Sequence, residues 1–285
     1  AHLAKIERSG FCATLAGMAQ TNPPVPAPAP ASAPASASVT VVIPVWNGAS
    51  VIGDCLAALY AHSGAQLHAV IAVDNASADE SVARIQHDFP GVQLVRSSFN
   101  LGFAGGVNLG IATTFGASAG RAGEELVVLL NQDCLVDAGW LDALCAGLAS
   151  DPQAAIGGCT IYNADGTVNH AGAALEMPLA YSRHFTTPAT APQRVEYVTG
   201  AVFAIRRAAW QALGPLDDDF YPAYYEEADY CYRATSQGWG VLYVPGASAH
   251  HLQSSRAWRD DPLLHCSHQH RARYRFITKH LAGTA

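Results

Sequence analysis

The chain has 285 residues, 50% of them hydrophobic and 14% charged, and carries a formal charge of −7. That apolar content can fill a sizeable core, which excludes wholesale disorder, and the acidic balance argues against a general nucleic-acid binder. Seven scattered cysteines, odd in number and without a CxxC pair, read as reduced thiols and point to a cytoplasmic protein.

In chain order, residues 1–22 have the pattern of a short helix at the end of a preceding domain. Residues 23–38, PPVPAPAPASAPASAS, hold six Pro, six Ala and three Ser among sixteen positions. Nothing there can pack, and the prolines favour extended, solvated backbone, so this stretch is a linker. A start at AHLAK, without Met, reads as a piece cut from a longer polypeptide, with a second catalytic domain across the linker as a partner. The folded unit is expected over residues 39–281.

Within it, VTVVIPV (Val39 to Val45) is a continuous β-branched run, the mark of a strand covered on both faces. ASVIGDCLAALYAHS follows with helical spacing, placing Ile52, Leu56 and Leu59 on one face. Then come a strand (HAVIAVD), a helix (SADESVARIQHDF), a strand (VQLVRSS), a helix (FAGGVNLGIATTFGA) and a strand (ELVVLLNQD). The longest apolar run, Leu126 to Leu130, is far shorter than the roughly 20 residues of a membrane-spanning helix. Such alternation predicts an α/β fold: right-handed βαβ units in a mostly parallel, Rossmann-like sheet flanked by helices. Ligands then sit beyond the carboxyl ends of the strands, at Pro44 to Asn47, Asp74 to Ser77, Ser97 to Gly102 and Asn131 to Asp133.

The chemistry-bearing residues fall at these edges and in the Tyr- and His-rich second half. Asp74 ends a strand, where a carboxylate can accept N–H bonds from a nucleobase edge; Ser77 and Asp79 are fully explained as helix caps. In Asn100-Leu101-Gly102-Phe103-Ala104-Gly105-Gly106-Val107-Asn108, glycines at a strand-to-helix turn would let backbone amides approach a phosphate. The spacing is not GxGxxG, so a dinucleotide fingerprint is not supported, and a plain turn explains the loop equally well. Asn131-Gln132-Asp133 sets an acid at the tip of a buried strand, placed to hold Mg²⁺ or Mn²⁺ against two phosphates. The alternative is a helix cap, for which Asp137 is better suited.

Glu226, Glu227 and Asp229 crowd three acids into four residues. Asp229 and Arg233, four apart on a helix, can pair. One of Glu226 and Glu227 is then a candidate general base in a tyrosine-rich setting, or both are solvated at a first helical turn. His250 and His251 lie on an extended segment and point to opposite sides, so at most one reaches a given site. His250 is the candidate metal or phosphate contact, with a buried structural role as the alternative. His265-Cys266-Ser267-His268-Gln269-His270 has the look of a zinc tract but lacks a second Cys/His pair, and reads as a polar helix face.

Taken in order, VVIPVWNG, VDNASADES, FNLGFAGGVNLG, LLNQD, VTGAVFAIRRAAW, GPLDDDFYPAYYEEADYCYR and the His250 segment resemble the pattern of family-2 glycosyltransferases, specifically a rhamnosyltransferase-like subgroup. The resemblance spans residues 39 to about 280. It implies a GT-A fold with a smaller acceptor-side subregion, and inverting transfer from a nucleotide-sugar donor with Mg²⁺ or Mn²⁺ as cofactor. The implied donor is dTDP-L-rhamnose, with UDP-galactofuranose or UDP-N-acetylhexosamines as alternatives. The implied acceptor is a growing polysaccharide or lipid-linked glycan, as in bacterial O-antigen assembly.

By position, the resemblance places Pro44 and Trp46 around the nucleobase and Asp74 at its edge, with Asn47 and Asn75 also on the donor. Asn100, Gly102, Gly105, Asn108, Asn131 and Gln132 fall on the donor, with Gly200 and Ala201 under its sugar. Asp133 and His250 would hold the cation, and Glu227, or else Glu226, would deprotonate the acceptor hydroxyl. Three residues depart from the pattern: Asn131 stands where many relatives have Asp, Glu226-Glu227 where Glu-Asp or Asp-Asp is usual, and Trp46 in place of Tyr.

Two other classes fit less well. A sugar-1-phosphate nucleotidyltransferase needs a Gly-rich basic signature after the first strand, and PVWNG has no basic residue. A non-catalytic glycan-binding domain has no need of Asp133, Glu227 and His250 together. The basic end (Arg256, Arg259, Arg271, Arg273, Arg275, Lys279) reads either as a contact for anionic membrane lipid or a diphosphate-lipid acceptor, or as a solvated helix face.

Overall fold

The alternation of the first half is realised as β1 (Val39–Val45), α1 (Ile52–His62), β2 (Leu67–Asp74), α2 (Ser81–Asp88), β3 (Gln93–Arg96), α3 (Gly102–Phe115) and β4 (Leu126–Leu130). A computed structural model of the chain describes residues 38–115, 126–252 and 261–281. Residues 1–22 and nearly all of the linker lie outside the described residues. β3, β2, β1 and β4 are neighbours in that order and run parallel. The β-branched run of β1 explains its central place. Val39, Val41, Ile43 and Val45 enter one core cluster and Val42 the opposite one. Each such buried side chain contributes about 1.5–3 kcal/mol of transfer free energy. α1, α2 and α4 (Trp140–Ser150) cover the first face through Ile52, Leu56, Leu59, Ile85, Trp140 and Leu144, while Val107 and Ile111 of α3 cover the second.

Past β4 the simple alternation ends. Asn131 turns the chain, its carbonyl accepting from the Cys134 N–H at 3.1 Å, so the strand expected to run through Asp133 stops at Leu130. Asn131 to Asp133 form the turn into a short β5 (Cys134–Val136). β6 (Ala154–Asn163), β7 (Val168–His170), the hairpin β8 (Ala173–Glu176) and β9 (Tyr181–His184), β10 (Gln193–Arg194), β11 (Val202–Arg206) and β12 (Gly240–His251) complete the strands among the described residues. β11 inserts antiparallel between β4 and β6, and β12 lies parallel to β6. The antiparallel insertion brings the start of β11 beside the carboxyl end of β4. α5 (Arg207–Leu213), α6 (Glu226–Ser236) and α7 (Pro262–His280) follow, with α6 and α7 burying Ala228, Tyr230, Ala272 and Phe276 against the second face.

β12 is not regular. Val244 pairs with Cys159 but Ser248 with Thr160, so Pro245, Gly246 and Ala247 bulge out. An odd excess of residues exchanges the two faces of a strand. Leu242 and Val244 share a core cluster with Ala247 and Ala249, and the exchange carries through to the two histidines at the strand's end.

Candidate active site

The turn after β4 and the end of β12 meet at Asp133 and His251. The buried Asp133 carboxylate lies 3.1 Å from His251 Nε2. That nitrogen is also 3.3 Å from Asn131 Nδ2. The expectation for His250 is therefore corrected. The β12 bulge turns His250 away, so that its ring stacks on Tyr162 with centroids 5.2 Å apart and its Nε2 lies 3.7 Å from Asp137. Cys134 completes a potential three-residue metal cluster with Asp133 and His251, but its Sγ is turned to the Ala201 carbonyl at 3.6 Å. A carboxylate oxygen and an imidazole nitrogen remain. Unprotonated Nε2 has a single lone pair, which either accepts from Asn131 Nδ2 or, with Asn131 turned aside, joins an Asp133 oxygen on a divalent cation. The donor set fits such an ion, its other positions left for phosphate oxygens and water.

Beside this pair, Trp46 follows β1 with 43% of its surface exposed. Gln132 holds its backbone from both sides, accepting from the Trp46 N–H at 3.0 Å and donating to its carbonyl at 3.1 Å. Asn47 has a positive φ of 47°, and its side chain accepts from the Ala78 N–H. Gln132 and Asn47 thus fix the rim on which Pro44 and Trp46 stand. Asp74 is sealed: its carboxylate takes the Ser77 N–H at 2.9 Å and Arg96 Nε at 3.3 Å. The Arg96 side chain, 63% exposed, covers it.

Three amides at the start of the glycine loop are already bonded within the protein. The Leu101 N–H donates to Asn75 Oδ1, Gly102 N–H to Asn100 Oδ1 and Phe103 N–H to the Pro222 carbonyl, all within 3.0 Å. Gly102 is needed for another reason. Its φ is +73°, and a Cβ there would lie 2.8 Å from the Tyr221 ring and 2.9 Å from the Pro222 oxygen. A Cβ on Gly105 would strike Leu101 at 2.8 Å. Asn75 also donates to the Gly102 carbonyl, and Asn108 exchanges two bonds with the backbone of Leu216. Asn75, Asn100 and Asn108, expected on the donor, thus staple backbone groups of the protein in this structure. Asparagine between backbone groups serves equally well for either role, which is why the sequence pattern did not separate them.

The acidic pair opens α6. Glu226 is 3% exposed and Glu227 partly buried, and each has an Oε2 shut away from solvent without a hydrogen-bond partner among the described residues. Burial raises both carboxyls. Glu226 is pushed well up, the Glu227 charge adding to the effect. At Glu227 burial is opposed by backbone N–H groups, its own and those of Gly200 and Ala228. The helix N-terminus also favours a carboxylate here. Tyr224 and Tyr225 precede the pair with φ of 85° and 68°, left-handed values that cost bulky residues about 1–3 kcal/mol each and gather at functional sites. Tyr225 donates to the Ala180 carbonyl and Tyr224 meets His265 Nδ1 at 3.0 Å. Asp229 pairs with Arg233 as expected, at 2.9 Å.

A turn over residues 199–201 joins the two halves. The Gly200 amide faces Glu227, while the Ala201 carbonyl accepts from the Asn131 N–H at 3.0 Å. A Cβ on Gly200 would press on the Phe103 ring at 3.1 Å. His170, buried on β7, accepts the Thr199 N–H at 3.2 Å; nothing in the sequence pattern singled it out.

The basic residues of α7 are spent on the protein itself. Arg275 and Lys279 pair with Asp217, Arg271 donates to the Tyr221 carbonyl, and Arg273 lies over the Tyr181 ring at 3.9 Å. Arg256 and Arg259 lie outside the described residues. Among those described, no helix is long and apolar enough to cross a membrane.

Residues 34–273 match a family model described as glycosyltransferase like family 2. Over 239 residues the chain is 28% identical to an N-acetylglucosaminyl-diphospho-decaprenol L-rhamnosyltransferase of Mycobacterium tuberculosis, covering 75% of this chain and 76% of that one. An O-antigen biosynthesis protein RfbC of Myxococcus xanthus is 28% identical over 152 residues, 49% of this chain and 12% of that protein. Among solved structures, GalNAc-T7 with UDP, GalNAc and Mn²⁺ superposes with a TM-score of 0.61 at 20% identity, over 76% of this chain and 44% of that chain. The mannosyltransferase PcManGT from Pyrobaculum calidifontis, in complex with GDP-Man and Mn²⁺, gives 0.53 at 19% identity, over 79% and 60%. The chain spans less than two thirds of either solved chain. At these identities the likeness concerns the fold, which is GT-A.

Proposed function

Because the chain belongs to glycosyltransferase-like family 2 and is a glycosyltransferase of GT-A fold, we propose that it moves a sugar, L-rhamnose from dTDP-rhamnose, onto a hydroxyl of a growing bacterial polysaccharide or lipid-linked glycan, with inversion. The observation that carries the reading is the Asp133–His251 pair, set across the 199–201 turn from two buried glutamates. The choice of rhamnose and of a lipid-linked acceptor is supported by the name of the mycobacterial relative.

In this reading Glu227 is the base. It is less buried than Glu226 and has the backbone N–H groups that favour its ionised form, while Glu226 holds its proton more firmly. As the acceptor oxygen attacks the anomeric carbon, its proton passes to Glu227, and the bond to the nucleoside diphosphate breaks on the opposite face. No side-chain nucleophile is needed. Asp133 and His251 would hold Mg²⁺ or Mn²⁺, whose contribution is to neutralise charge growing on the diphosphate. Trp46 and Pro44 offer stacking surface for the base, and Asp74 can meet its edge once Arg96 swings aside. Peripheral membrane contact, a cytoplasmic location and a second catalytic domain beyond the linker belong to the same proposal.

The test is ligand-induced thermal stabilisation with dTDP-rhamnose, UDP-galactofuranose, UDP-N-acetylglucosamine and GDP-mannose, with and without Mn²⁺. Stabilisation by dTDP-rhamnose alone, dependent on Mn²⁺ and lost in Asp133→Ala, is the expected result. Stabilisation by a different donor replaces the rhamnose assignment, and none from any donor overturns the donor site.

A further inference from the structure

His170 is a buried histidine with no place in the reaction as just described. Its ring is fully shielded from solvent, its Nε2 accepts the Thr199 N–H at 3.2 Å, and its Nδ1 has no hydrogen-bond partner among the described residues. The ring packs edge-to-face against His184 with centroids 4.7 Å apart and lies 6.3 Å from the Tyr197 ring. An imidazole that accepts through Nε2 carries its proton on Nδ1. Leaving that N–H unpaired in the core costs free energy, which argues that the bond on the other side of the ring is what the site retains.

That bond fixes the turn between the two chemical halves of the site. Thr199 is held by His170; its Oγ1 accepts from the Ala201 N–H at 3.4 Å; and the Ala201 carbonyl receives the Asn131 N–H at 3.0 Å, two residues before Asp133. Gly200, in the middle, faces Glu227 and has the Phe103 ring against its Cα. We propose that His170 is a positioning residue for sugar transfer: by accepting the Thr199 N–H it sets the turn that aims the Gly200 amide at the base and spaces the base from the cation pair. The inference rests on Glu227 being the base. Its acceptor function needs a neutral ring, and burial, with the neighbouring His184, holds the ring's pKa down to about 3, so the contact persists throughout the working pH range.

His170→Phe keeps a ring and removes the acceptor; His170→Gln places an amide oxygen near the former Nε2. In His170→Phe, kcat is expected to fall about ten- to a hundredfold with donor KM within about twofold, the loss that misplacement of a reacting group produces. The acid limb of the kcat–pH profile should move up by about one pH unit, because Glu227 loses part of its N–H stabilisation. Facing Glu227 in that titration are Glu226, Cys231, Tyr224 and Tyr225 from its own segment and Tyr197 from the strand side. His170→Gln should recover most of the rate and return the acid limb. An unmoved acid limb in His170→Phe, or no rescue by Gln, overturns the proposal. Nitrogen-15 spectra of the unmutated protein need no variant to fold: an unprotonated Nε2 is expected from pH 5 to 8, and a protonated one overturns the proposal. Glu227→Gln separates the two failures. If that variant keeps wild-type kcat, the base assignment falls; if it is inactive and His170→Phe behaves as wild type, only the role of His170 does.

Discussion

Asp229→Asn tests how the helix bearing the two glutamates is held. Asp229 is fully buried, and its carboxylate receives Arg233 Nε at 2.9 Å, Lys279 Nζ at 2.7 Å and His280 Nε2 at 2.7 Å, which joins α6 to α7. Burial alone would raise its pKa. The bonds from His280, Lys279 and Arg233 overcome that and hold it down, from 3.8 to about 2. A group depressed on folding stabilises the folded state above its unfolded pKa and loses that effect as pH falls through the folded one. The gap corresponds to about 2.5 kcal/mol at pH 7, of which about half remains at pH 3. Arg233 keeps its bonds to the Leu213 and Pro215 carbonyls, and Lys279 its bond to Asp217. The cost of Asn should therefore stay near that figure rather than reach the roughly 3–5 kcal/mol of a buried charge left alone. Urea unfolding at pH 7, 5 and 3 reads it directly, and the melting temperature at pH 7 should drop by roughly 5–10 °C. A variant within about 0.5 kcal/mol of wild type at pH 7, or a deficit that does not narrow at pH 3, would refute the reasoning.

Three further outcomes follow from the site. His251→Ala should abolish Mn²⁺-dependent stabilisation by the donor while His250→Ala keeps it, as followed by thermal shift; the reverse pattern would return the cation to His250. Gly102→Ala should cost roughly 1–3 kcal/mol in urea unfolding, from a left-handed φ and a clash with Tyr221 and Pro222. Asn108→Ala strands the Leu216 N–H and carbonyl and should lower stability by about 2 kcal/mol with donor KM unchanged. A tenfold rise in KM would instead put Asn108 on the donor.

The parallel half of the sheet was legible because its strands are long and apolar: VTVVIPV and LVVLL can only be buried. β5, β7 and β10 run to two or three residues each, too short to show a period, and β5 and β10 pair with β12 far along the chain. The acids stand out in the sequence by type, since Asp133 and the Glu226-Glu227 pair have few other uses at strand and helix tips. The histidine beside Asp133 is His251, one position past the His250 that the sequence suggested. Period-2 logic sends one of the two towards Asp133, but which one depends on three bulged residues, Pro245 to Ala247, whose effect appears only in pairing with β6. The asparagines and Gln132 were read as ligand contacts because a side-chain amide binds a phosphate, a sugar or a backbone group with the same atoms. His170 was invisible for a related reason: its partner is a backbone N–H.

The reversed direction of β11 has a consequence for how such an enzyme can diversify. Five paired positions, Val202 with Leu130 through Arg206 with Leu126, lock β11 to β4. In the proposed reaction, the gap between Glu227 and the Asp133–His251 pair is thus gauged by a sheet ladder, not by loop lengths. The β8–β9 hairpin and α7 lie outside that ladder. Insertions there would spare the β4–β11 frame but reach the two glutamates through the Tyr225–Ala180 and Asp229–Lys279 contacts, so the two ends of the site differ in how much change they tolerate.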